Sequence, residues 1–206
     1  MNDALTEKGK RIFPLLGRFS NFYLAGGTGL ALQIDHRVSI DFDLFCRNKI
    51  SDNLLREAEK VFAGHKIKIS VNNSNELTVF VDDVKITFLH YPFPVYSQYI
   101  EIEDIKVILP KLIGFTKAYS IGRRGSYKDY VDLYFLLKEG YISLEDIVQN
   151  CQKIFGDGFS DRLFLEQLVY MDDVDEIEIR FSKTGVSKKD LEAYFANEVG
   201  KFARKI

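Results

Sequence analysis

Three strand-like runs, KIKISV at 66–71, ELTVFV at 76–81 and VKITFLH at 84–90, follow one another with only NNSN and Asp82-Asp83 between them. Each alternates polar with apolar positions and is rich in β-branched and aromatic residues, the pattern of a half-buried strand. Connections this short turn a chain back on itself; a parallel crossover takes about a dozen residues or more. The runs therefore predict an antiparallel meander with turn chemistry at both joints. A meander has an apolar face to cover, so the rest of the chain must bring helices and further strands to it.

The flanking sequence supplies both. Residues 3–18 read as one amphipathic helix, with Leu5, Ile12, Leu15, Leu16 and Phe19 as its apolar positions. Phe22 to Ala25 is a strand closed by Gly26-Gly27, and Thr28 to Ile34 a short helix stopped by Asp35-His36-Arg37. Ser39 to Phe45 is the next strand, and Ser51 can cap a helix running to Gly64. After Pro92 and Pro94, IEIEDIKVIL reads as one last extended run, ending at Pro110. Beyond it the pattern is helical, with starts at Pro110, Ser143, Ser160 and Ser187. A further start at Ser126 pairs with Asp129 as a capping box, and Gly140 stops that helix. The expected fold is α+β: a mixed sheet with flanking helices over 1–105, then a helical domain over 106–206, with one shared core left open.

Composition excludes little. A formal net charge of −2 gives no global attraction for nucleic acid, so a polyanion would need a local patch. Cys46 and Cys151 stand in no metal-ligand spacing, no apolar run is long enough to span a bilayer, and the N-terminus lacks the layout of a secretory signal. The expectation is a reduced, cytoplasmic protein with no membrane partner.

The chemistry gathers in FYLAGGTGLALQIDHRVSIDFDLF, residues 22–45. On a strand, Asp41 and Asp43 point to one face while Phe42 and Leu44 point to the other. Two carboxylates roughly 7 Å apart on one face need a cation between them. Arg37, Arg123 and Arg124 are available as structural counter-charges, and Mg²⁺ is the alternative, completing its oxygen shell with water and phosphates. Gly26-Gly27 before a helix presents backbone N–H groups to an anion. Cradle and carboxylates in consecutive elements favour a phosphoryl-transfer site over a plain turn followed by a solvated edge.

Gly-Gly, thirteen residues (28–40) and Asp-x-Asp resembles the signature of the polymerase-β-like nucleotidyltransferases. More narrowly, GGTGLALQIDHRVSIDFDLF and KAYSIGRRGSYKDYVDLYFLL resemble the AbiEii/AbiGii toxin family over roughly residues 20 to 140. The resemblance implies that Gly26, Gly27 and Thr28 hold the phosphates of a nucleoside triphosphate and that Asp41 and Asp43 bind Mg²⁺. It implies a phosphate-reaching role for Lys117 and a catalytic or ordering role for Asp129 and Asp132. Arg124, in the only compact basic cluster near the proposed site, with Arg123 and Lys128, is a further candidate for holding phosphates. The implied activity is transfer of a nucleoside monophosphate to an acceptor hydroxyl such as that of tRNA, by a toxin countered by an antitoxin.

Each assignment has a plainer rival. Asp129 and Asp132, three apart on one helix face, can belong to a solvated ion-pair network, and Lys117 can be a snorkelling surface lysine. His36 is given no role. Many polymerase-β-like enzymes carry a third carboxylate on a later strand, and Thr87 occupies the place expected for it here. Threonine is no general base. That departure keeps open a non-catalytic nucleotide- or partner-binding module; a metal-dependent phosphohydrolase is weaker, for want of a histidine cluster.

Overall fold

The computed structural model describes residues 3–94 and 98–205, and the chain divides into two units, Met1–Leu109 and Pro110–Ile206. In the first unit α1 (Glu7–Ile12) passes into a 3₁₀ segment, Phe13–Arg18. The single helix expected over 3–18 is not formed. Pro14 has no N–H to donate and its ring crowds the preceding turn, so the chain tightens at that point. The unit continues with β1 (Tyr23–Ala25), α2 (Gly26–Ile34), β2 (Phe42–Cys46) and α3 (Leu54–Val61). The meander follows as β3 (Ile67–Asn72), β4 (Glu76–Val81) and β5 (Val84–His90), then β6 (Tyr99–Ile102) and β7 (Ile105–Ile108).

These strands form one mixed sheet in the order β3-β4-β5-β2-β1-β7-β6. The two joints β3–β4 and β4–β5 are antiparallel as expected, and β2 lies between β1, antiparallel, and β5, parallel. The run 100–109 is a hairpin rather than one strand, because Glu103 and Asp104 both take positive φ (49° and 64°). Asp82 and Asp83 do the same at the β4–β5 joint (49° and 69°). Two consecutive positive-φ residues make the turn whose twist matches paired strands. At the outer strand β3 the register slips between Ile69 and Val71, a β-bulge.

Register decides which side chains share a face. Leu24↔Leu44, Leu44↔Phe88, Phe42↔Ile86, Leu77↔Phe88 and Val79↔Ile86 are direct partners, and all are buried. Against them pack Phe13, Phe19, Phe22 and Phe62; the Phe19 and Phe22 rings meet Phe88 edge-on at 4.7 and 5.1 Å. The alternate positions, Asp43↔Thr87 and Thr87↔Thr78, therefore line the opposite face.

The second unit is helical: α4 (Pro110–Arg124), α5 (Tyr127–Lys138), α6 (Leu144–Phe155), α7 (Asp161–Val169) and α8 (Lys188–Ala203). Ser143 and Ser187 close capping boxes with Asp146 and Asp190, and Ser160 accepts from the Leu163 N–H. The box expected between Ser126 and Asp129 does not form; the Ser126 side chain caps nothing, and the Asp129 carboxylate turns to Lys117. Tyr130, Phe164, Leu168, Leu191 and Phe195 are fully buried, with the Tyr130 and Phe195 rings edge-on at 6.0 Å. Among the described residues no helix is long and apolar enough to cross a membrane.

Phe88→Ala removes the ring against which Phe19 and Phe22 pack, and is expected to cost about 3–5 kcal/mol. The check is the urea midpoint followed by far-ultraviolet circular dichroism.

Candidate active site

β1 ends at Ala25, paired with Asp43 of β2, and the next residue, Gly26, opens α2 at φ 62°. A Cβ on Gly26 would collide with Oδ2 of Asp43 and lie 3.1 Å from its Cβ and Cγ. Both the backbone and the space thus require glycine. The Asp43 carboxylate sits against the first turn of α2, where helix N–H groups lack intrahelical acceptors. The glycines lie inside that turn, not ahead of a helix beginning at Thr28, and Gly27 is buried within it.

Thr28 is 1% exposed, and its hydroxyl donates to the Asp41 carbonyl. A hydroxyl has one proton, so Ser39 Oγ, 2.7 Å away, donates in turn to Thr28. The side chain of Thr28 is committed to clasping residues 39–41 onto α2. Its backbone N–H lies in the first turn of α2, among the N–H groups that have no intrahelical acceptor.

Asp41 directly precedes β2, and from 41 to 46 half-buried and buried positions alternate. Both aspartates therefore lie on the face opposite Phe42 and Leu44. Asp43 is in register with Thr87, so the residue standing where a third carboxylate was expected is Asp43's direct neighbour. Among the described residues no three His, Cys, Asp or Glu side chains converge on a metal position. Two half-buried carboxylates beside an open helix N-terminus still fit Mg²⁺, which uses one or two carboxylates and takes its other oxygens from water and phosphate. The space left by the missing Cβ of Gly26 is what admits the second of them.

The second unit holds a separate cluster. Lys117 on α4 donates to Asp129 Oδ1 and Asp132 Oδ2 of α5, both at 2.7 Å. The three side chains are 8%, 3% and 0% exposed. This is neither a snorkelling lysine nor a solvated network: one buried ammonium is fixed between two buried carboxylates. Beside it, burial pushes the Tyr130 phenol up to about 12, with Asp173 and Asp129 adding to the shift, so it stays protonated and donates to the Gln167 carbonyl. Arg123 lies over the Tyr119 ring at 4.4 Å and donates to the Gly158 carbonyl. The Arg124 side chain lies outside the described residues. His36 is buried, as are both cysteines, whose thiols burial pushes up and away from reactivity.

Sequence reasoning passed over Ser39, Glu76 and Thr78. Glu76 Oε1 accepts from the Thr78 hydroxyl at 2.6 Å, and Thr78 stands beside Thr87 on the Asp43 face. The signal was available in the period-two spacing of Glu76 and Thr78, one strand from Thr87.

Comparison with known proteins places the chain in a nucleotidyltransferase family. Residues 10–205 match the family model of the nucleotidyl transferase AbiEii toxin, type IV toxin–antitoxin system, and the chain belongs to that family. It is 29% identical over 197 residues to the uncharacterized protein aq_aa25 of Aquifex aeolicus, covering 93% of this chain and 89% of that one. Two crystal structures from Helicobacter pylori share its fold. One, described as a candidate nucleotidyltransferase, has TM-score 0.57 and 20% identity over 97% of this chain and 94% of that one. JHP933 has TM-score 0.55 and 19% identity over 98% and 96%. The α+β nucleotidyltransferase fold is thereby shown.

Two stability outcomes follow. Lys117→Met leaves two carboxylates buried without their ammonium and is expected to cost about 3–5 kcal/mol. Gly26→Ala must strain φ and displace Asp43, at about 1–3 kcal/mol. Urea unfolding of each variant against the parent reads both.

Proposed function

We propose that this chain is a Mg²⁺-dependent nucleotidyltransferase that moves a nucleoside monophosphate from an NTP to an acceptor hydroxyl, tRNA being the acceptor class its family resemblance implies. In this reading it is the toxin of a pair, and a separate antitoxin is its partner. The observation that carries the proposal is the fit of Gly26 against Asp43. The residue that opens the anion-binding helix is also the one whose missing side chain leaves room for the metal-binding carboxylate.

The parts divide by chemistry. The backbone N–H groups of Gly26, Gly27 and Thr28, with the positive end of α2, bind and orient the triphosphate. The Thr28–Ser39–Asp41 clasp holds Asp41 in place, and Asp41 and Asp43 would hold Mg²⁺. When bound, Mg²⁺ supplies charge neutralisation for the triphosphate and the departing pyrophosphate. Lys117, Asp129 and Asp132 are the second unit's candidates for catalysis. The two carboxylates fix the ammonium so firmly that its position costs no reorganisation during a reaction. Arg124 is proposed for the nucleotide phosphates from its place at the end of α4.

The second reading is a non-catalytic nucleotide- or partner-binding module, favoured by Thr87 beside Asp43. Purified protein incubated with each α-labelled NTP, Mg²⁺ and total RNA separates the two. The transferase labels RNA of tRNA size, and Asp43→Ala lowers the rate by on the order of 10³-fold while the circular dichroism spectrum is retained. Mg²⁺-dependent NTP binding with no pyrophosphate released would select the module.

A further inference from the structure

On the transferase reading, the acceptor hydroxyl must give up its proton to a base as it attacks. The strand position beside Asp43 carries Thr87, whose hydroxyl is too weak a base to keep a proton. Thr87 is not isolated. It pairs with Thr78 on β4, and their hydroxyl oxygens are 3.4 Å apart in the sheet. Thr78 in turn donates to Glu76 Oε1 at 2.6 Å. Having one proton, and giving it to a carboxylate, the Thr78 oxygen is left as the acceptor for the proton of Thr87. That orientation leaves the Thr87 oxygen able to accept a further hydrogen bond.

Two of these groups are enclosed: Thr78 is 2% exposed and Thr87 8%. Glu76 is half-buried at the start of β4 and can exchange a proton with water. Its backbone is fixed, since its N–H donates to Asn73 Oδ1 at 2.9 Å and its carbonyl accepts from the Asn73 N–H at 2.9 Å. Glu76, Thr78, Thr87 and Asp43 thus form a row across three adjacent strands on the face opposite the core.

We propose that Glu76 is the terminal proton acceptor of the transfer reaction, reached through Thr78 and Thr87, and that it takes the place of a third carboxylate beside Asp43. The acceptor O–H gives its proton to Thr87 Oγ1 as Thr87 passes its own to Thr78 and Thr78 passes its own to Glu76. The freed electron pair of the acceptor oxygen forms the bond to the α-phosphorus. The bond from that phosphorus to the bridging oxygen breaks, and its electrons leave with pyrophosphate. Both threonines end as they began, and the neutral Glu76 returns its proton to water. A contact of 3.4 Å without substrate is in keeping with catalytic hydrogen bonds, which are often long until the substrate binds.

The test uses the full chain with α-labelled NTP, Mg²⁺ and RNA. Glu76→Gln still accepts from Thr78 but cannot take up a proton. It is expected to lower kcat by about 10²–10⁴-fold with KM for NTP and calorimetric NTP affinity unchanged. Thr78→Val cuts the relay and should lose a similar factor, with the thermal midpoint followed as a control on folding. Formate added to Glu76→Ala should restore part of kcat, which a merely structural role would not allow. Wild-type turnover in Glu76→Gln, or a loss in Glu76→Ala that formate leaves unmoved, overturns the relay while the transferase stands. Absence of both NTP binding and labelling in the wild-type chain overturns the two together.

Discussion

The pairing of β2 with its two neighbours is the constraint on which the first unit depends. Ala25 opposite Asp43 places the carboxylate at the mouth of α2, and Asp43 opposite Thr87 places it beside the hydroxyl row. The same register sends Phe42 and Leu44 into the cluster with Ile86 and Phe88. A slip of one residue would exchange the two sets, burying both aspartates and exposing the aromatic core. Hydrophobic burial therefore fixes the position of the polar groups, at roughly 25 cal/mol for each Å² of apolar surface removed from water. The Thr28 clasp finishes the placement, because Asp41 lies just beyond the strand and has no ladder of its own to hold it.

In the second unit the organising contact is ionic. Lys117 is enclosed between Asp129 and Asp132, and such an arrangement is weak as a source of net stability because all three groups lose their hydration. Its effect is geometric. An ammonium held at 2.7 Å by two carboxylates joins α4 and α5 in one relative setting, while the apolar residues around it tolerate several.

Much of the fold was legible because the sequence there obeys a single period. β4 and β5 occupy the residues the alternation marks, and the capping serines at 143, 160 and 187 open their helices. The misses have local causes. Pro14 interrupts a helical stripe without changing its hydrophobic pattern. The β6–β7 turn uses Glu103-Asp104, which carries none of the glycine or asparagine that marks such turns. The Ser126–Asp129 spacing suits a capping box, but a buried lysine outcompetes a backbone N–H for the carboxylate. In the candidate site the common face of Asp41 and Asp43 could be read from alternation. Burial of the Thr28 hydroxyl could not, since it depends on Ser39 and the Asp41 carbonyl, eleven and thirteen residues away.

The bulge between Ile69 and Val71 bears on what the sheet does at its margin. An outer strand offers a row of unpaired peptide groups that another extended chain can join, without limit in principle. In β3 the slipped register breaks that row after Ile69, and Lys68 stands exposed beside it. A visiting strand would meet a kinked ladder and a positive charge after two or three residues. With Ile69 exposed, the β3 margin is thus poorly suited to act as a template for growth.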